Sequence, residues 1–232
     1  MVKFPDVIYE DETILVLNKP AGLAVQGGKG VTVSLDDLLR SRDPRPLLVH
    51  RLDRGTSGLI LCAKTAEEAA RCARVFAGGA AEKRYLAVCA GEPPLRGSIA
   101  AGLEIRGRRK NALTAYRRLA AASLAAEGAG RPVRCALLEL TIATGRMHQI
   151  RRHLAASHWP VLGDDKYGDF ALNKSLKKAA GLRRLLLHAR SLRFPLSNGG
   201  NLELEAPLPD SFRGFLAAAG LGDCSTLLEL KH

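Results

Sequence analysis

Apolar and polar positions change their period several times along this chain. Short runs of Leu, Ile, Val, Ala and Cys bounded by Gly, Pro, Asn and Asp predict strands at 13–18, 58–64, 83–90, 112–119, 133–143, 183–194 and 201–207. Apolar residues recurring every three to four positions predict helices at 33–41, 66–77, 147–157 and 210–220, with Gly78 ending the second and Asp210 capping the last. Strands outnumber helices, and several neighbouring strands are joined by connections too short for a parallel crossover. The pattern predicts an α+β fold, a mixed and mainly antiparallel sheet with flanking helices. No internal repeat or low-complexity linker interrupts it, so residues 1–232 are expected to form a single domain, with 120–130 (AAASLAAEGAG) as a hairpin connection inside it.

Composition narrows the class of partner. At 232 residues, with 47% hydrophobic and 25% charged residues, the chain is an ordinary globular one, long enough to bury a full core. Its 35 Lys and Arg against 23 Asp and Glu give a net charge of +12, which makes a polyanion the first partner to consider. The excess is uneven. Residues 131–193 hold thirteen basic and four acidic side chains, and 106–118 adds Arg106, Arg108, Arg109, Lys110, Arg117 and Arg118. Any one of these reads equally well as a solvated surface charge, but their concentration attracts phosphates at long range. The cysteines Cys62, Cys72, Cys89, Cys135 and Cys224 are odd in number and mostly set in apolar runs, as reduced core residues of a cytoplasmic protein would be. No apolar stretch has the ~18 residues of a membrane span, and the N-terminus MVKFPDVIYEDE is acidic where a signal peptide is basic. No membrane association is expected.

Two segments carry candidate chemistry. In LVHRLDRGTSGLILCAKT (48–65), Asp53 is flanked by Arg51 and Arg54 in a turn of Gly and small polar residues just before a wholly apolar run. A carboxylate beside a guanidinium is held ionised and can serve as nucleophile or base. The same spacing also fits a turn carboxylate in a surface salt bridge. In IATGRMHQIRRHLAASHWPVLGDDKYGD (142–169), Arg146, His148, Gln149, Arg151, Arg152 and His153 crowd a helix start, a natural cradle for phosphate. The two histidines are five apart with no adjacent Glu, which disfavours a metal site.

These segments, taken with three others, carry a resemblance. HRLDRGTSGLILCAK resembles the catalytic motif H-R-L-D-x-x-T-S-G of the RluA family of pseudouridine synthases, and Lys83-Arg84-Tyr85 its K-x-Y strand. TGRMHQIRRHLA, GDDKYG and LLLHARSLRF match three further family motifs in the family's order, and IYEDETILVLNKPAGLAVQGGKG (8–30) is similar to the opening of the RluC/RluD-type branch that modifies large-subunit ribosomal RNA. The resemblance implies a pseudouridine synthase fold with a central catalytic cleft. It also implies isomerisation of uridine in RNA without cofactor or metal. On the matching positions, Asp53 takes the place of the catalytic aspartate, Tyr85 that of the tyrosine that stacks on the target uracil and is proposed to take the C5 proton, and Arg151 that of the arginine paired with the aspartate. Arg51 falls on an RNA-contacting arginine, and Arg54, Arg146, His148 and Gln149 join it as substrate-binding candidates. Whether Asp53 would attack C1′ or C6 or support a glycal route stays open.

There are also departures. Met147 stands where the family has Thr or Ser, Trp159 where it has His, and Ser157-His158 replace its usual residues. The chain begins directly with catalytic-domain sequence, where many relatives carry an S4 domain. The expected substrate is large-subunit ribosomal RNA, with tRNA as the alternative, and the expected state is a monomer. Two competing classes remain to be tested. A catalytically silent RNA-binding or ribosome-assembly factor would have lost Asp53, Tyr85 or Arg151. A glycosidase or nuclease using Asp164 and Asp165 needs both carboxylates aimed at one bond, whereas adjacent residues usually point apart.

Overall fold

A computed structural model describes residues 2–105, 107–124 and 132–222; Arg106, Arg131, the end of the 120–130 segment and Cys224 lie outside this range. The described residues divide into two compact units, one running to Lys83 and including Ala189–Pro207, the other made of those between Arg84 and His188 and from Leu208 to Gly222.

In the first unit, β1 (Asp6–Glu10) and β2 (Ile14–Lys19) form an antiparallel hairpin. Asp11 closes its turn by accepting the Thr13 and Ile14 N–H groups at 2.7 and 2.8 Å. β2 pairs antiparallel with β4 (Ser57–Ala63), from Ile14 opposite Ala63 to Lys19 opposite Gly58, and the short β3 (Leu47–Leu48) joins β4 as well. Every residue of β4 is buried, as its unbroken apolar sequence requires. β9 (Leu187–Pro195) lies beside β4 and pairs antiparallel with β10 (Asn201–Glu205). Helix α1 (Leu35–Leu39) opens with a capping box between Ser34 and Asp37; α2 (Ala66–Ala77) opens on Thr65, whose hydroxyl accepts the Glu68 N–H, and ends at Gly78. Ile14, Val16, Leu59, Leu61, Cys72 and Phe194 form the core of this unit.

In the second unit β5 (Glu82–Ala90), β6 (Arg96–Ile105), β7 (Arg108–Leu124) and β8 (Val133–Ile142) stand in the order β5-β8-β7-β6. The β6–β7 and β7–β8 pairings are antiparallel. Helices α3 (Gln149–Ala156), α4 (Phe170–Ala179) and α5 (Asp210–Ala218) complete it: Leu176 of α4 and Phe212 and Phe215 of α5 join Leu86, Val88, Leu137 and Leu162 in its core, and α3 packs against β6 and β7.

The α+β class and the largely antiparallel pairing agree with the sequence pattern, and several boundaries are corrected. Ala120–Leu124, expected in a connection, continue β7: Ala120, Ala121 and Ala122 pair with Leu137, Ala136 and Cys135 beyond a bulge at Arg118. The predicted 183–194 strand starts only at Leu187, because Arg184 turns back to donate to the Leu185 and Leu187 carbonyls at 2.9 and 3.1 Å. Asp210 is the first helical residue of α5, and Pro209 takes the cap position. Strands β1, β3 and β6 and helix α4 are not predicted by the sequence pattern. The four described cysteines are buried free thiols. No helix among the described residues is long and apolar enough to cross a membrane.

Candidate active site

The turn that presents Asp53 is fixed from three directions. Within it, Thr56 N–H donates to the Asp53 carbonyl at 3.1 Å. From the side, Lys19, fully buried at the end of β2, donates through Nζ to the carbonyls of Pro20 at 2.9 Å, Leu23 at 2.8 Å and Arg54 at 3.4 Å. A buried ammonium is tolerable only with such partners, and these carbonyls belong to the two loops that meet at the turn. The Gly22 N–H also reaches the Arg54 carbonyl, and Arg54 Nε returns a bond to the Gly22 carbonyl at 3.0 Å. From behind, His50 Nε2 accepts the Leu61 N–H of β4 at 2.8 Å while its ring packs on Phe76, centroids 4.5 Å apart. Burial, reinforced by the Lys83 ammonium, pushes His50 down to about 3, so the ring stays neutral and the accepting nitrogen stays available. Downstream, Gly58 has φ +109, and a Cβ there would lie 2.2 Å from the Ala189 carbonyl oxygen. The sequence identified the turn but missed Lys19 and His50 as the groups that hold it; their place inside matched motifs was the only signal. The Asp53 side chain is partly buried, and Arg51 and Arg54 are exposed.

In the second unit Tyr85 is 8% exposed on β5, within the strand the sequence predicted. Arg151, on the first turns of α3, is 6% exposed and gripped edge-on by Asp164: Nε to Oδ2 and Nη2 to Oδ1, both at 2.7 Å. Nη2 also reaches Asp165 at 3.3 Å, and the guanidinium lies 5.3 Å over the Tyr167 ring. Asp164, wholly buried, further accepts the Lys166 and Tyr167 N–H groups at 2.9 and 3.0 Å. Burial alone would raise its pKa, but Arg151 and the two N–H groups outweigh that and hold it below the ordinary carboxylate range. Asp164 and Asp165 therefore orient an arginine and cap a turn. A Gly-Asp-Asp turn is expected from its sequence to cap backbone rather than to form a hydrolytic pair, and Asp164 does so; its grip on Arg151 is not legible from the sequence.

The other cradle residues separate. Gln149, 3% exposed, spends its amide inside the protein: Oε1 accepts from Thr144 Oγ1 at 2.7 Å and Arg146 N–H at 3.1 Å, and Nε2 donates to the Leu113 carbonyl at 2.9 Å and Thr114 Oγ1 at 3.2 Å. It ties the loop before α3 to β7. Arg146, expected on a helical face with Gln149, precedes the helix. Its Nε is buried without a hydrogen-bond partner among the described residues. The helix expected from 147 begins at Gln149 because His148 adopts left-handed backbone, φ 53, costly for a non-glycine residue. That turn aims the imidazole at Tyr167, with Nδ1 3.0 Å from its hydroxyl. Arg152 donates to the Glu104 carbonyl at 3.1 Å. No group of three or more His, Cys, Asp or Glu among the described residues is disposed to hold a metal ion.

Comparison with known proteins gives one consistent result. The family model for RNA pseudouridylate synthase matches residues 13–156. The chain is 34% identical over 205 residues to tRNA pseudouridine synthase C of Haemophilus ducreyi, covering 82% of this chain and 84% of the relative. It is 35% identical over 228 residues to ribosomal large subunit pseudouridine synthase C of Escherichia coli, covering 89% and 67%. Among solved structures, human RNA pseudouridylate synthase domain containing 1 superposes with a TM-score of 0.74 at 26% identity, covering 97% of this chain and 94% of that one. Matched over most of its length, with the Asp53 turn inside the matched span, this chain belongs to the RNA pseudouridylate synthase family and is an isomerase that acts on RNA.

Proposed function

We propose that Asp53 is the catalytic group of this isomerase and that uridines of large-subunit ribosomal RNA are its substrate. The observation that carries the first part is the rigidity of the turn. A single carboxylate that must meet a base extruded from folded RNA needs a fixed backbone, and Lys19, His50 and Arg54 supply one. The reaction breaks the N1–C1′ bond, turns the uracil, joins C5 to C1′ and moves the C5 proton to N1, so atoms balance without a co-reactant. Asp53 engages the reacting nucleotide, the Tyr85 ring stacks on the uracil with its hydroxyl near C5, and Arg151, aligned by Asp164, supplies the compensating charge. Arg51, Arg54 and Arg146 take phosphates. His148 orients this region through Tyr167, and Gln149 contributes by positioning the loop rather than by touching RNA. On this reading the enzyme works as a monomer, and in the cytoplasm, a compartment that its buried free thiols fit.

Ribosomal RNA is favoured by the several relatives named for the large subunit, at 33–35% identity. One observation favours tRNA: the relative named for it is matched over 84% of its length, against 67–68% for the others. Pseudouridine mapping of both RNA classes after incubation with the protein decides between them. The catalytic assignment is tested with Asp53→Asn, which keeps the shape and removes the carboxylate. RNA binding is expected to persist and pseudouridine formation to disappear; turnover near the wild-type rate would transfer the role to another residue.

A further inference from the structure

Helix α4 carries surface groups that neither its packing nor the isomerisation uses. Its inner side is accounted for: Leu176 is buried in the core of the second unit, and Asp169 caps the helix by accepting the Leu172 N–H at 2.9 Å. On its outer side Phe170 is 62% exposed, and Lys174, Lys177 and Lys178 are exposed, followed by exposed Arg183. Positions 170, 174, 177 and 178 share one helical face and span about 12 Å along the axis. Among the described residues none of these four cations makes an ion pair or hydrogen bond. Arg40, Arg42 and Arg45 in the first unit, by contrast, are each paired with Asp36 or Glu10. The helix dipole accounts for Lys177 and Lys178 in the last turn. It accounts neither for Lys174 nor for an exposed aromatic ring at the other end.

We propose that this face of α4 is a second RNA-binding surface, on which Phe170 stacks against an unpaired base and Lys174, Lys177, Lys178 and Arg183 contact phosphates. The proposal rests on RNA being the substrate and adds where RNA is held beyond the target uridine. A lone exposed ring in line with uncompensated cations suits a strand that offers a base face and a charged backbone together. An acidic protein surface would satisfy the lysines and leave the ring unused. The helix follows directly from the turn in which Asp164 grips Arg151, so RNA lying along it is bound by the same unit that carries Arg151.

The test measures affinity of the full chain for unmodified 23S ribosomal RNA transcript and for heparin, a polyanion without bases, over a range of salt. The triple variant Lys174→Gln/Lys177→Gln/Lys178→Gln is expected to bind both more weakly and to lower the slope of log affinity against log salt by about two. Phe170→Ala is expected to weaken RNA binding about tenfold and to leave heparin binding unchanged. Arg40→Gln/Arg42→Gln/Arg45→Gln removes the same charge from paired sites and is expected to lower the slope by less than about one. The proposal fails if the lysine variant keeps the wild-type slope, if the arginine variant matches it, or if Phe170→Ala affects RNA and heparin alike. Pseudouridine formation by the wild-type protein is followed in parallel. Binding that depends on α4 without product formation overturns the substrate assignment and leaves the surface standing.

Discussion

Arg151 shows how a motif residue can be placed by a partner that the motif does not emphasise. Its Nε and Nη2 are committed to Asp164 in a bidentate grip, so the direction of its charge is set before any substrate arrives. Arg151→Lys keeps the charge and loses the grip, and is expected to lower the single-turnover rate at least tenfold with little change in affinity. Asp164→Ala, which strands a buried guanidinium, is expected to cost about 3–5 kcal/mol of stability as well. Arg152→Ala, losing only a bond to the Glu104 carbonyl, should weaken RNA binding modestly and spare the rate. If Arg151→Lys and Arg152→Ala behaved alike, Arg151 would be one more phosphate contact. Tyr85 is separated into its functions the same way: Tyr85→Phe keeps stacking and loses the hydroxyl, Tyr85→Leu loses both. Full activity in the Phe variant would exclude proton transfer through the hydroxyl, whereas loss of folding in the Leu variant would make the ring a core residue.

The elements that read most clearly from sequence are those whose burial is uniform or strictly periodic. β4 is buried on all seven residues, and its apolar run was unmistakable. α2 was placed to the residue because Thr65 and Gly78 bracket an amphipathic stretch. β6 escaped because Arg96–Ile105 mixes glycines with small and charged residues, and it is a strand only by its pairing with β7. Helix α4 escaped because Asn, Ser and three lysines dilute its apolar stripe to little more than Leu172 and Leu176. The sequence offered Asp53, Tyr85 and Arg151 as candidates through the identity of their side chains within matched motifs. It could not reveal Lys19, His50 or Asp164 as their supports, because those roles are hydrogen bonds that only tertiary structure creates. The start of β4 offers a direct check. Gly58→Ala places a methyl group 2.2 Å from the Ala189 carbonyl oxygen at a positive φ, and is expected to cost more than about 2 kcal/mol and to impair the adjoining Asp53 turn. Gly27→Ala, with open space around its Cβ, should change the urea midpoint little; equal effects of the two would remove the close-packing argument.

Across the molecule, buried ionisable groups set the pH range in which the fold holds. His50 is pushed down to about 3, by burial first and then Lys83; His153 is lowered by burial first, with Arg152 adding. Both rings are therefore neutral when folded and take up protons when unfolded, so stability is complete above their ordinary value of about 6.5 and declines as pH falls below it. Each group contributes a slope of up to about 1.4 kcal/mol per pH unit. Asp164, lowered in the folded state, adds its loss only in more acid solution, as pH falls through the carboxylate range. On the alkaline side the sign reverses. Burial raises Cys62, Cys72 and Cys89 to about 12 and Cys135 to about 11, so the unfolded chain loses thiol protons first and stability falls above about 9. Lys83 and Arg184, both lowered by burial, oppose this, whereas Tyr116, raised by burial, and Tyr9, raised by its bond to Asp11, add to the four thiols. Stability should accordingly peak between about pH 6.5 and 9. Urea unfolding at pH 5, 7.5 and 10 measures the profile, and His50→Gln reports on its acid limb. Because Gln carries no ionisable ring, the variant is expected to start less stable at pH 7.5, having lost the bond from the Leu61 N–H, and to lose less between pH 7.5 and 5 than the wild type. An unchanged acid slope would mean that His50 is already protonated in the folded protein, and with that the anchor behind the Asp53 turn would have to be sought in a different group.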